Sequence, residues 1–168
     1  MYFVGIDLAG KDKNPTGFAI VNDEIKTKKL FSDDEIINEI ENTKPEIIGI
    51  DAPFSFPKYG YWRESEIELK KDGFKPLSPK FISMKILVRR TQNLINRLQG
   101  YKVIEIFPKA TEKILFLNKN FFENRIQKKI SEDEYDAILA AITAKFYFEG
   151  KFKIYGQKEN DKIIVPYV

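Results

Sequence analysis

Val4-Gly5-Ile6-Asp7-Leu8-Ala9 and Ile48-Gly49-Ile50-Asp51-Ala52 are nearly the same phrase written twice. Tyr2 to Leu8 is an almost unbroken apolar run, and so is Ile47 to Ile50; both predict strands covered on two faces. In each phrase the glycine lies two residues before the aspartate and therefore shares its face of the strand. That spacing predicts room beside each carboxylate. An ionised carboxylate at the end of a buried strand is costly unless it is paired, hydrogen-bonded or bound to metal. Asp51, just before Ala52-Pro53, also reads as an ordinary loop former. A third apolar run, Tyr101 to Phe107, repeats the theme as Val103-Ile104-Glu105-Ile106. Together Asp7, Asp51 and Glu105 predict a divalent-metal site.

Composition narrows the chemistry. The 168 residues include no cysteine and no histidine, with 43% hydrophobic and 32% charged residues. Disulfides, thiolate zinc sites and cysteine nucleophiles are excluded, and so are the commonest general base and nitrogen ligand. Polar chemistry must run on carboxylates, lysines and hydroxyls. The composition and length are those of one globular domain, expected to span 1–168. No apolar run approaches the roughly 20 residues needed to cross a bilayer. The start, Met1-Tyr2-Phe3-Val4-Gly5, lacks a basic leader, so the chain is expected to be cytoplasmic and free of membrane. The net charge is +3, but Lys58 to Gly100 carries ten Lys/Arg against four acids, an excess of +6 that leaves −3 elsewhere. A basic segment on an acidic body suits a polyanion such as nucleic acid, and equally a solvated helical face.

The remaining elements follow from pattern. Gly10 to Gly17 is turn-rich, Phe18 to Asn22 reads as a second strand and Ile25 to Phe31 as a third. Ser32 is a good N-cap, with Asp33, Asp34 and Glu35 in the first turn and Ile36, Ile37 and Ile40 as the apolar stripe. Trp62 to Lys71 reads as a helix. Ser78-Pro79 signals the start of another, whose stripe includes Leu87, Val88, Thr91, Leu94 and Leu98 and which Gly100 ends. Thr111 to Leu117 and Phe121 to Lys129 are further expected helices. Ser131 to Glu134 has capping-box spacing, and Ala137, Ala140, Ala141 and Ala144 predict a helix lying close on a sheet. Lys153 to Pro166 reads as a hairpin around Glu159-Asn160-Asp161.

That last helix offers more acids. Asp133 and Asp136 are spaced i, i+3 and are neighbours on one face. Asp133 is also an ordinary first-turn dipole partner; Asp136 sits deeper, beside the small-residue face, and is the favoured ligand. All-carboxylate sites select hard cations, here Mg²⁺ or Mn²⁺. Two such ions held by three or four acids support phosphoryl transfer without histidine.

Four segments carry a resemblance: Gly5-Ile6-Asp7-Leu8-Ala9, Ile48-Gly49-Ile50-Asp51-Ala52-Pro53, Ile104-Glu105-Ile106-Phe107-Pro108 and Asp133-Glu134-Tyr135-Asp136-Ala137. In this order they resemble the domain of unknown function 429 family, described as nucleases predicted from a ribonuclease H-like fold. The resemblance implies an α/β fold with a mixed five-stranded sheet flanked by helices and a helical insertion after the fourth strand. It implies that Asp7, Asp51, Glu105 and Asp136 are the acidic catalytic positions of a metal-dependent nuclease. Arg63, Lys11, Thr16 and Arg89 are candidates for contacting a phosphate. Arg63 also reads as an intrahelical partner of Glu66, and Lys11 as a plain solvated side chain. Tyr59, Tyr61 and Trp62 lie among basic residues, as single-strand stacking platforms do, and also read as loop packing. Two other functions fit the same residues: a non-catalytic nucleic-acid-binding module, and an actin-like ATPase element built on the Gly-Ile-Asp strand and Thr16-Gly17.

Overall fold

The two matched strands are neighbours at the centre of one sheet. In the computed structural model, which describes residues 1–168, β1 (Phe3–Asp7) is followed by the antiparallel meander β2 (Thr16–Val21) and β3 (Ile25–Leu30), then α1 (Asp33–Thr43) and β4 (Ile47–Asp51). Next come α2 (Glu64–Lys71), α3 (Ile82–Arg97) and β5 (Lys102–Ile106). The chain ends with α4 (Pro108–Ile114), α5 (Lys119–Ile126), α6 (Glu132–Phe148), β6 (Phe152–Tyr155) and β7 (Ile163–Pro166). The strand order is β3-β2-β1-β4-β5-β7-β6. β1, β4, β5 and β7 run parallel as neighbours, while β2, β3 and β6 run antiparallel to theirs.

Strand alternation sorts the central residues into two layers. Val4, Ile6, Leu8, Ile48 and Ile50 pack with Ile36, Ile37 and Ile40 of α1 and Leu94 of α3. On the opposite face Phe3, Ile47, Ile104 and Ile106 meet Ala140 and Ala144 of α6. Each helix end has a local cause. Ser32 and Glu35 form the capping box of α1, and Ser131 and Glu134 that of α6. Their reciprocal bonds satisfy amide groups that a helix start leaves open.

The sheet has seven strands where five were expected. The C-terminal hairpin is present, but β7 adds it to the sheet by pairing with β5 through Glu105–Ile163 and Ile106–Ile164. An apolar strand edge left open is unfavourable, and Ile163, Ile164 and Val165 close it. The helix expected from Ser78-Pro79 begins later, at Ile82, because Ser78 Oγ bonds the Tyr61 carbonyl and accepts from the Lys80 N–H instead. Trp62 precedes α2, and α4 and α5 each start a few residues earlier than the pattern suggested. No helix is long and apolar enough to cross a membrane.

Candidate metal centre

The site is built around three glycines. A Cβ on Gly5 would lie 1.9 Å from the Ala137 carbonyl oxygen, and one on Gly49 would lie 2.6 Å from that of Ala140. One on Gly17 would lie 1.9 Å from the Asp133 carbonyl oxygen. The room predicted beside the carboxylates is therefore taken by the backbone of α6, not by a ligand. Ala137, Ala140, Ala141 and Ala144 are fully buried on this face, as their spacing predicted. Gly17 pairs with Asp7 across β1 and β2. The close approach at Gly17 sets the first turn of α6, and with it Asp133 and Asp136, over Asp7.

Asp7 and Asp51 are register partners on parallel strands, so their side chains emerge on the same face. Both are the partly exposed ends of buried strands. Desolvation, then the charges of Asp136 and Asp133 and a side-chain contact with Asp133, push the Asp7 carboxyl up to about 8. Asp51 is also held well above the usual range, by desolvation first and then by Asp7, Asp136 and Glu105. Asp136 is raised by desolvation, against the attraction of Lys109. Its Oδ1 is buried without a hydrogen-bond partner, and Lys109 Nζ stands 3.6 Å away, at ion-pair range only.

A hard cation fits this donor set chemically: carboxylate oxygens crowd together, repel one another and include an orphan. In the arrangement seen, however, no group of three acidic side chains is placed to hold one ion. Asp7 and Asp51 supply a register-matched pair of donors, and Asp133 and Asp136 stand over them on α6.

Glu105 is different. β5 pairs with β4 one step back, Ile50 opposite Glu105, so Glu105 shares the face of Ile50 and not that of Asp51. Arg63 Nη1 and Nη2 donate to its two oxygens at 2.9 and 2.5 Å, and the Phe54 N–H donates at 3.0 Å. Arg63 also donates through Nε to Glu66 Oε1 at 3.0 Å, while its backbone N–H bonds Glu66 Oε2 at 2.8 Å. All three side chains are buried. Glu105 is thus engaged with an arginine and does not join Asp7 and Asp51 as a free donor. Arg63, expected either to reach a phosphate or to pair with Glu66, faces inward and pairs.

The other expected phosphate contacts lie apart from the acids. Thr16 is fully buried, and its Oγ1 accepts the Ala9 N–H at 3.0 Å, closing the β1–β2 turn. Lys11 borders a separate polar depression with Arg90, Arg97, Asp33 and Asp34. Arg89 is exposed on α3. Sequence reasoning missed Lys109, the cation nearest Asp136; its only signal is its place just after the acid-bearing strand, behind Pro108. It also missed Asp161, whose carboxylate accepts the Glu64 and Ser65 N–H groups at the start of α2 from almost 100 residues away in the chain.

The strand ends open into a cavity of about 230 Å³ lined by Asp7, Asp51, Glu105, Leu77, Met84 and Leu87 among others. A larger depression, lined by Gln92, Asn96 and Lys162, lies on the outer side of β5 and β7 and contains neither Asp7 nor Asp51. The chemistry points to the smaller one, since it holds the perturbed carboxylates.

No protein-family model and no curated protein matches the chain. Among solved structures it is similar to Thermus thermophilus RuvC in complex with a Holliday junction substrate, at a TM-score of 0.55 and 13% identity, covering 89% of this chain and 96% of that one. It is likewise similar to Thermus thermophilus RuvC in a second structure, at a TM-score of 0.51 and 12% identity over the same shares. The chain therefore shares the α/β fold of these RuvC structures, with Asp7 and Asp51 side by side at the ends of two central strands.

Proposed function

We propose that this protein is a divalent-metal-dependent nuclease or related phosphodiesterase acting on nucleic acid. The observation that carries the proposal is the Asp7–Asp51 register pair, which lines a cavity at the strand ends and lies within reach of the charge of Asp136, whose Oδ1 has no hydrogen-bond partner. Asp7 and Asp51 would hold Mg²⁺ or Mn²⁺, and Asp136, with Asp133 beside it, would complete the set. Glu105 keeps a supporting place, anchored by Arg63 next to Asp51. When bound, a divalent cation supplies charge neutralisation at phosphoryl oxygens and activation of water.

The chain's own residues prepare the chemistry. The apolar wall of Leu77, Met84 and Leu87 lowers the local dielectric and limits water, which strengthens electrostatic interactions inside the cavity. Lys109 balances part of the negative charge at Asp136. Within the basic stretch from Lys58 to Arg97, the exposed Lys58, Lys70, Lys80, Lys85 and Arg89 offer neutralising charge to a phosphate backbone. The junction-bound RuvC of similar fold supports a nucleic-acid substrate by analogy of architecture.

The test is cleavage of labelled single-stranded, duplex and branched DNA and RNA with Mg²⁺ or Mn²⁺. Wild-type protein is expected to cleave at least one of these, and Asp7→Asn to lose cleavage while keeping a cooperative melt. Cleavage that survives Asp7→Asn sinks the assignment. Salt-sensitive binding without turnover in the wild type identifies the non-catalytic module instead.

A further inference from the structure

The connection from β4 to α3 carries a set of exposed side chains that the acid site does not use. Tyr59 is 79% exposed and Tyr61 69%, unusual for rings that normally help to cover a core. Each has a lysine ammonium over its face: Lys58 at 5.5 Å from the Tyr59 centroid, and Lys80 at 5.7 Å from that of Tyr61. Trp62, next in sequence, has Lys70 at 3.9 Å. Three aromatic rings in one short segment are thus each accompanied by a cation.

This segment is fixed in relation to the acids. Its next residue, Arg63, is locked into Glu105 and Glu66. Ser78 Oγ ties the Tyr61 carbonyl to the segment carrying Leu77, and Leu77 lines the cavity that holds Asp7 and Asp51. Its positive charge is also less compensated than the sequence implies. Glu66 is buried on Arg63, Glu68 accepts the Gly156 N–H, and Asp72 accepts from Lys153 and Tyr155 of the C-terminal hairpin. Those three acids are engaged elsewhere, which leaves Glu64 as the segment's one unengaged acid against the exposed Lys58, Lys70 and Lys80.

We propose that Tyr59, Tyr61 and Trp62, with Lys58, Lys70 and Lys80, form a platform that binds an unpaired nucleic-acid strand beside the acid cavity. The proposal rests on the nucleic-acid reading of that cavity and adds the substrate class: a strand whose bases are free to stack. Duplex bases are stacked on each other and cannot cover the rings, while every unpaired base has a face to offer. The lysines supply the phosphate partners; their hold on the rings is weak at an exposed site and yields to a stacking base. A protein partner would be served equally well by aliphatic contacts and has no need of a cation at each ring.

Trp62 is the sole tryptophan, so its fluorescence reports the platform directly. The full chain, in chelator to prevent cleavage, is titrated with an oligothymidylate and with a duplex of similar length. The single strand is expected to quench Trp62 and to bind more tightly than the duplex. Tyr59→Ala/Tyr61→Ala, at exposed positions, is expected to weaken single-strand binding about 10- to 100-fold, with the melting temperature and the salt slope of binding unchanged. Equal affinity for the two nucleic acids, wild-type affinity in the tyrosine variant, or no response to either nucleic acid overturns the platform. Metal-dependent cleavage that Asp7→Asn abolishes is read in a separate assay. Its loss leaves a positive quenching result standing, and its presence does not rescue a negative one.

Discussion

Two groups of acids meet the ends of the central strands from opposite faces of the sheet, Glu105 and Glu66 buried and Asp7, Asp51, Asp133 and Asp136 half-buried, and they are treated in opposite ways. On the α1–α3 face, Glu105 and Glu66 share the five-donor fork of Arg63, and every one of their oxygens has a partner. On the α6 face, Asp7, Asp51, Asp133 and Asp136 stand together with Lys109 as their nearest cation, and one oxygen of Asp136 has no hydrogen bond. A fold that satisfies one set completely has the means to satisfy the other. Repulsion left in place at the α6 face agrees with the proposed cation site, whereas the Arg63 network is what a structural joint requires.

Breaking the joint should have the largest effect. Arg63→Ala leaves two buried carboxylates facing each other and is expected to destabilise the fold by about 3–5 kcal/mol, read from urea unfolding. A loss below about 1 kcal/mol, the range of an exposed ion pair, would remove the contrast between the two faces. Next comes the seat of the acid cluster. Gly5→Ala drives a methyl into the Ala137 carbonyl and is expected to cost at least ~1–3 kcal/mol by overpacking. In the same variant, cleavage should fall further than the melting temperature suggests, because displacing α6 moves Asp133 and Asp136 away from Asp7.

The repulsion itself can be read by pH. The Asp7 carboxyl rises from 3.8 to about 8 in the folded protein. The folded state therefore binds its proton more tightly than the unfolded chain does. That contribution to stability is complete below the unfolded value and is lost as pH rises through about 8. In chelator, wild-type protein should melt several degrees higher at pH 5 than at pH 8.5. Asp7→Asn should flatten this dependence, and Mn²⁺ should raise the melting temperature of the wild type at the alkaline end. A melting temperature that rises with pH in chelator would contradict the electrostatics of the cluster. The smallest effect is expected at the edge of the joint, where Asp161→Asn weakens a remote cap of α2 at a cost of about 1 kcal/mol.

Much of this architecture was legible in the chain. The twin apolar runs ending in Asp7 and Asp51, the capping boxes at Ser32 and Ser131, and the alanine face of α6 each depend on neighbours within a few residues, so local chemistry determines them. What was misread depended on distant partners. The hairpin from Lys153 to Pro166 was visible as a hairpin, but nothing local says that β7 will lie beside β5 and make the sheet seven-stranded. Ser78-Pro79 carries a helix-start signal that fails because the Ser78 hydroxyl finds Tyr61, 17 residues earlier. The glycines signalled space without saying what would enter it, and the backbone of α6 does.

The acids divide along the same line. By itself the sequence determined that Asp7 and Asp51 are equivalent: each ends a buried strand, two residues past a glycine, and period-two alternation gives both the same orientation. Only the tertiary structure decided the place of Glu105. A single step of register between β4 and β5 turns its side chain to the other face, where Arg63 takes it. Register is settled by the packing of whole strands against their neighbours, and a one-residue shift reverses every side chain along them.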